Sequence, residues 1–124
     1  MKLLSYKVFV SGEVLLERCV HSSSLWFRMK GLLGYSSLPH QEGIWLKPCN
    51  GIHMFFMNFP IDAVFLNRQN RVIKIAAHLP PWRMIPIVWG ADSVVEMPVH
   101  GAQRLHIGDS LEFRELTSAD KEKV

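Results

Sequence analysis

Cys49 and His53 stand four residues apart in the run Cys49-Asn50-Gly51-Ile52-His53. A thiol in a turn, with an imidazole in reach, is the minimal nucleophile and base for covalent catalysis. The neighbouring residues supply no oxyanion element. A small buried thiol is the simpler reading of Cys49. His53 and Asp62 form a second tempting pair, a base with its orienting carboxylate, which would need to approach within about 2.6–3.2 Å.

Strand arithmetic argues against that dyad. Suppose Ile52–Met57 and Ile61–Leu66 form a hairpin with Asn58-Phe59-Pro60 at its tip. Phe56 then opposes Asp62, and His53 opposes Phe65. Directly opposed residues share a face, so His53 and Asp62 fall on opposite faces. A four-residue tip restores the shared face but places Asp62 opposite Met57, roughly 13 Å along the strand from His53. Asp62 is therefore read as a structural acceptor of backbone N–H groups from its turn. Glu96, in Val94-Val95-Glu96-Met97-Pro98, is read as exposed or ion-paired with an arginine such as Arg83 or Arg104. Asp109 belongs to the Gly108-Asp109 turn.

A metal centre needs three or four ligands at suitable spacing. The histidines His21, His40, His53, His78, His100 and His106 contain no HxH or HxxxH pair. His100 and His106 do not share a helical face. Cys19 and Cys49 form no CxxC motif, which excludes a zinc ribbon and a thioredoxin-type site. Neither a metal nor a cofactor is expected. The stretch His78–Gly90 is more suggestive. It carries Pro80, Pro81 and Pro86 together with Trp82, Arg83 and Trp89. Proline at that density prevents a central strand, and a long ordered loop on a β-scaffold is a common place for binding.

The elements that must position these groups are mostly short strands. Leu3–Val10 and Glu13–Val20 flank the Ser11-Gly12 turn and predict an N-terminal hairpin. Leu25, Met29, Leu32 and Leu33 make one helical stripe after the capping residues His21-Ser22-Ser23-Ser24, which predicts a short helix near Ser24 to Lys30. Further strands are predicted at Ile44–Lys47, Ile52–Met57, Ile61–Leu66, Arg71–Ala77, Ser93–Met97 and Ser110–Phe113. One helical turn is predicted over Gly101–His106. Short strands separated by turn signals indicate an all-β, antiparallel sandwich or barrel with one short helix.

The run from Cys49 to Leu66 carries a family resemblance. It is similar to the Ile-His-Thr-Phe-Gly-Met-Arg-Phe-Pro-Ile-Asp-Val-type signature, or its Trp-Met-Lys-Asn variant, of a small prokaryotic family catalogued as domain of unknown function one hundred and ninety-two. Gly31-Leu32-Leu33-Gly34 matches the family's upstream element. Glu96-Met97-Pro98 with Gly101, then Gly108-Asp109, match its downstream elements, so the resemblance spans about residues 19 to 113. Met54, Phe56 and Asn58 replace the Thr, Gly and Arg of one subgroup, and Val99-His100 occupies the place of a single alanine. The resemblance implies a compact sandwich or jelly-roll-like fold. It implies no activity.

The 124 residues suit one domain, here 1–116, with a polar tail over 117–124. A hydrophobic fraction of 48% supplies a core without help from metal or disulfide, and 20% charge argues against disorder. The formal charge of +3 is scattered, with no basic stripe, so nucleic acid is not the expected partner. No apolar run approaches about 18 residues, so no membrane span is expected. Lys7 interrupts the N-terminal apolar run before it reaches signal-peptide length, and a cytoplasmic location is expected. The function ranked first is a non-enzymatic domain that binds a small ligand or a protein, through Trp45, His53, Trp82, Arg83 and Trp89. The alternative is a small hydrolase-like or metal-dependent enzyme that uses His53 with Cys49 or Glu96.

Overall fold

The computed structural model describes residues 4–23 and 38–117. Nine strands follow in order: β1 (Ser5–Val10), β2 (Glu13–Ser22), β3 (Glu42–Leu46), β4 (Ile52–His53), β5 (Ile61–Leu66), β6 (Val72–Leu79), β7 (Met84–Ile85), β8 (Ser93–Met97) and β9 (Leu111–Glu115). The described residues contain no helix. The helix predicted near Ser24 to Lys30 lies outside them, as does the tail beyond Thr117. At Gly101–His106 there are successive tight turns in place of the expected helical turn, with Gln103 N–H donating to His100 and Leu105 N–H to Ala102.

Seven strands form one sheet in the order β6-β5-β8-β3-β2-β1-β9, and β4 pairs with β7 in a separate ribbon. The sheet is mixed, which corrects the antiparallel expectation: β2 and β3 run parallel, from Arg18↔Glu42 to Ser22↔Leu46. Parallel neighbours need a crossover of a dozen or more residues, and residues 23–41 provide it. The edge strands meet at one end, where Arg71 and Ser110 form an isolated bridge. Val72 N–H donates to Asp109 and Leu111 N–H to Asn70 beside it. The ladder goes no further, so the sheet is rolled but not closed.

β5 and β8 are buried along their whole lengths. Side chains alternate across a strand. Ile61, Ala63 and Phe65 of β5 therefore pack with Leu46, Val94 and Phe59 in one cluster. Val64 and Leu66 pack with Val8, Leu16, Val95 and Met97 in another. Burial on both faces explains why these two strands read as nearly continuous apolar runs.

The hairpin expected between Ile52–Met57 and Ile61–Leu66 does not form. β5 pairs with β6 and β8 instead, so both of its edges are taken. The chain after His53 turns away, with Met57 N–H donating to Met54 and Phe56 at a φ of 66°. The strand expected to stop at Ala77 continues to Leu79. The loop expected over His78–Gly90 contains β7, which pairs with β4.

The ribbon sits tight against its own loop. A Cβ at Gly51 would fall 1.7 Å from the Pro86 carbonyl oxygen, so only glycine fits. Gly51→Ala is expected to lower the unfolding free energy by about 1–3 kcal/mol, the usual cost of overpacking. Urea denaturation measures the loss, and amide shifts should concentrate at residues 51–54 and 82–88.

Candidate functional site: the aromatic face of the ribbon

The ribbon is built by period-two alternation. Ile52 pairs with Ile85, and His53 with Met84. Met54 N–H donates to Arg83 and Trp82 N–H to Met54, both at 2.7 Å, which carries the pairing beyond the two named strands. Paired side chains share a face. Ile52, Met54 and Ile85 therefore enter the core cluster under the ribbon, while His53 and Met84 turn outward.

On that outer side the rings form a chain. His53 stacks on Phe55 at 4.8 Å between centroids, with 28° between the planes. Phe55 lies 6.1 Å from Trp82, and Phe56 meets Trp82 edge-on at 4.9 Å. Phe56 and Trp82 stay 59% and 58% exposed. Both have left-handed backbones, with φ of 66° and 69°, a conformation that is uncommon for bulky residues and costs energy. The exposed Arg83 stands next in the chain to Trp82.

Of the residues predicted to bind, the structure brings His53, Trp82 and Arg83 to this ribbon. Trp89 is on the same loop and 87% exposed, at its Gly90 end. Trp45 is elsewhere. It is buried in the main core, stacked on Phe113 at 3.8 Å, with Tyr6 and His21 at its edges and the Lys47 ammonium 5.2 Å from its ring. Its Nε1 is buried with no hydrogen-bond partner among the described residues. Sequence reasoning missed Phe55, Phe56 and Met84. Met54, Phe55 and Phe56 are apolar without a break, so the sequence does not say which of them face outward; the partner strand β7 sets that.

The groups considered for catalysis have other surroundings. Cys49 Sγ–H donates to the Gly51 carbonyl at 3.0 Å. The cleft at Cys49 is otherwise lined by Pro48, Asn50, Ala91 and Asp92, and by neither His53 nor Glu96. Glu96 is fully buried in β8, between Ile44 of β3 and Ala63 of β5, which corrects the expectation of an exposed side chain: β8 is an interior strand enclosed on both faces. Among the described residues no three His, Cys, Asp or Glu side chains are grouped as a metal site.

Asp62 is buried and accepts two backbone hydrogen bonds, from His78 N–H at 2.9 Å and Ala102 N–H at 3.1 Å. These donors come from the end of β6 and from the turn after β8, not from the Asn58-Phe59-Pro60 turn. Asp109 accepts His106 N–H at 2.9 Å through its side chain, and its backbone carbonyl takes Val72 N–H. Cys19 is fully buried, and desolvation pushes its thiol well above the ordinary range.

Comparison with known proteins decides the family. The family model DUF192, described as "Uncharacterized ACR", matches residues 19–113. The chain belongs to the DUF192 family. Two crystal structures resemble it. One is a protein of unknown function from Novosphingobium aromaticivorans DSM 12444, 23% identical, with a TM-score of 0.73, covering 89% of this chain and 84% of that one. The other is a candidate transcription regulator from Sinorhizobium meliloti 1021, 18% identical, with a TM-score of 0.76, covering 91% and 96%. At these identities the likeness is one of fold alone. Among curated proteins nothing matches.

Two outcomes are expected. Asp62→Ala should destabilise the fold by about 1–3 kcal/mol for each N–H left without an acceptor. Asp62→Asn should recover part of the loss, because one amide oxygen remains; chemical denaturation of the three proteins measures the series. In a thiol-reagent titration Cys49 should react in the native protein, and Cys19 only after unfolding, because the thiolate is the reactive species and burial suppresses it.

Proposed function

We propose that this chain is a non-enzymatic binding module that engages an apolar ligand or a protein segment through the outer face of the β4–β7 ribbon. One observation carries the reading. Seven large apolar side chains are exposed among the described residues, and Phe56, Trp82, Met84, Ile87 and Trp89 belong to the two segments that meet in the ribbon. Scattered exposure is ordinary, whereas concentration in one region marks an interaction site. Aromatic residues and arginine dominate binding hot spots, and Arg83 adds a charge beside Trp82. The strained backbones of Phe56 and Trp82 support the same reading, since such conformations cluster where function demands them.

The barrel-like roll of the main sheet serves, in this reading, as a rigid platform. Several of its basic residues are committed to ion pairs, Lys7 with Glu17, Lys47 with Asp92, Arg104 with Glu13 and Arg114 with Glu112. That supports a protein or small-ligand partner over nucleic acid. The enzyme alternative gains no support from the cleft at Cys49, which neither His53 nor Glu96 lines.

A peptide-display selection on the purified chain tests the proposal. Selected peptides should lose about tenfold or more in affinity against Trp82→Ala or Phe56→Ala, the loss of a single hot spot. The thermal midpoints of those variants should stay within a few degrees of the parent, because both side chains are exposed. A selection whose binders are all indifferent to both substitutions overturns the assignment.

A further inference from the structure

The ribbon face is bordered by charge of one sign. From Gly43 to Ala91 the chain holds five basic residues, Lys47, Arg68, Arg71, Lys74 and Arg83, and a single acidic one, Asp62. Asp62 is buried, with both oxygens taken by backbone donors. Lys47 pairs with Asp92. Arg68, Arg71, Lys74 and Arg83 are exposed and have no ion pair among the described residues.

These charges stand at both ends of the apolar strip. Arg83 follows Trp82 directly. At the other end, a Cβ on Gly90 would lie 3.7 Å from Ile73 Cδ1, which sets Trp89 beside the start of β6. Lys74 comes next in that strand and pairs with Phe65. Paired side chains share a face, so Lys74 projects from the sheet face that the ribbon covers. Asp92 N–H donates to the Leu66 carbonyl, which brings the end of the loop to the turn flanked by Arg68 and Arg71. Between these charges Phe56, Trp82, Met84, Ile87 and Trp89 protrude, each between 58% and 87% exposed. Clefts of about 420 and 310 Å3, beside His100 and at Cys49, are lined by none of the five.

We propose that the outer face of the ribbon binds the surface of an anionic lipid bilayer. The proposal rests on the ribbon face being a binding surface, as inferred above, and gives that surface its partner. Tryptophan favours the boundary between acyl chains and headgroups, where its ring is in apolar surroundings and its N–H is wet. Met84 and Ile87 add apolar area without a plane for stacking, which suits acyl chains and not nucleic-acid bases. Protein hot spots sit in well-packed pockets, whereas a fluid boundary receives protruding side chains without one. The unpaired arginines and lysine then meet the anionic headgroups. Such a face lies on a bilayer and does not cross it.

Co-sedimentation of the full chain with vesicles tests the proposal. One set is phosphatidylcholine alone, and the other holds about one-third phosphatidylserine. At low salt the chain should bind the serine-containing set about tenfold or more tightly than the neutral set, the effect of a few basic residues at a charged surface. Raising the salt to about 0.5 M should remove most of that difference. Trp82→Ala and Trp89→Ala should each weaken binding about tenfold or more, the loss of one buried apolar side chain. Arg83→Gln and Lys74→Gln should each weaken it about fivefold at low salt. Arg114→Gln in β9, whose charge is paired with Glu112, should leave it within about twofold. Brominated phosphatidylcholine in the serine-containing vesicles should quench the tryptophan emission, and less so in either tryptophan variant. Absence of binding to the serine-containing vesicles, equal binding to both sets, or binding indifferent to both tryptophan substitutions overturns the proposal. If vesicles fail while selected peptides depend on Trp82, the lipid assignment falls and the ribbon remains a protein-binding face. Peptides indifferent to Trp82, beside vesicle binding that requires it, support lipid as the partner.

Discussion

Burial of β5 on both faces is the constraint on which the rest of the structure depends. Every residue from Ile61 to Leu66 is enclosed, so one face must be covered by the rolled sheet and the other by something else. Burial of the strand also encloses a carboxylate. An isolated charge is too costly to bury, so Asp62 needs donors. Its own turn does not supply them. The donors are the His78 and Ala102 amides, which draw the end of β6 and the turn after β8 toward one point.

The ribbon answers the other face. Ile52, Met54 and Ile85 cover Ile61, Phe65 and Val94 and complete the second core cluster. Period-two alternation then leaves no choice for the intervening residues. If Ile52 and Met54 point inward, His53 and Phe55 point outward, and pairing sends Met84 with them. An aromatic face is thereby presented on a strip whose underside is held by the core.

Family membership and the two solved folds bear on the scaffold, not on the chemistry. At 23% and 18% identity the rolled sheet persists, as expected when buried patterning and turn geometry define a fold while exposed positions vary. The features that suggest binding in this chain are the exposed side chains of Phe56, Trp82 and Trp89.

The sequence by itself determined the β-rich character of the chain, the positions of most strands, the turns at Ser11-Gly12 and Asn67-Asn70, and the family. These are local signals: alternation, β-branched runs and turn residues act over a few positions. It also singled out the tryptophan loop and argued against a hairpin-built His53–Asp62 dyad. Only the tertiary structure decided the pairings. Nothing local to Ile52-His53 says that its partner is Met84-Ile85, and the assumed partner, Ile61–Leu66, had both edges occupied by β6 and β8. The same limit hid the parallel β2–β3 pair and the distance of Trp45 from Trp82. Non-local pairing is set by which arrangement buries the most apolar surface and satisfies the most backbone groups over the whole chain. In Cys49 to Leu66 that competition turned an apparent hairpin into a central strand and the inner half of a ribbon.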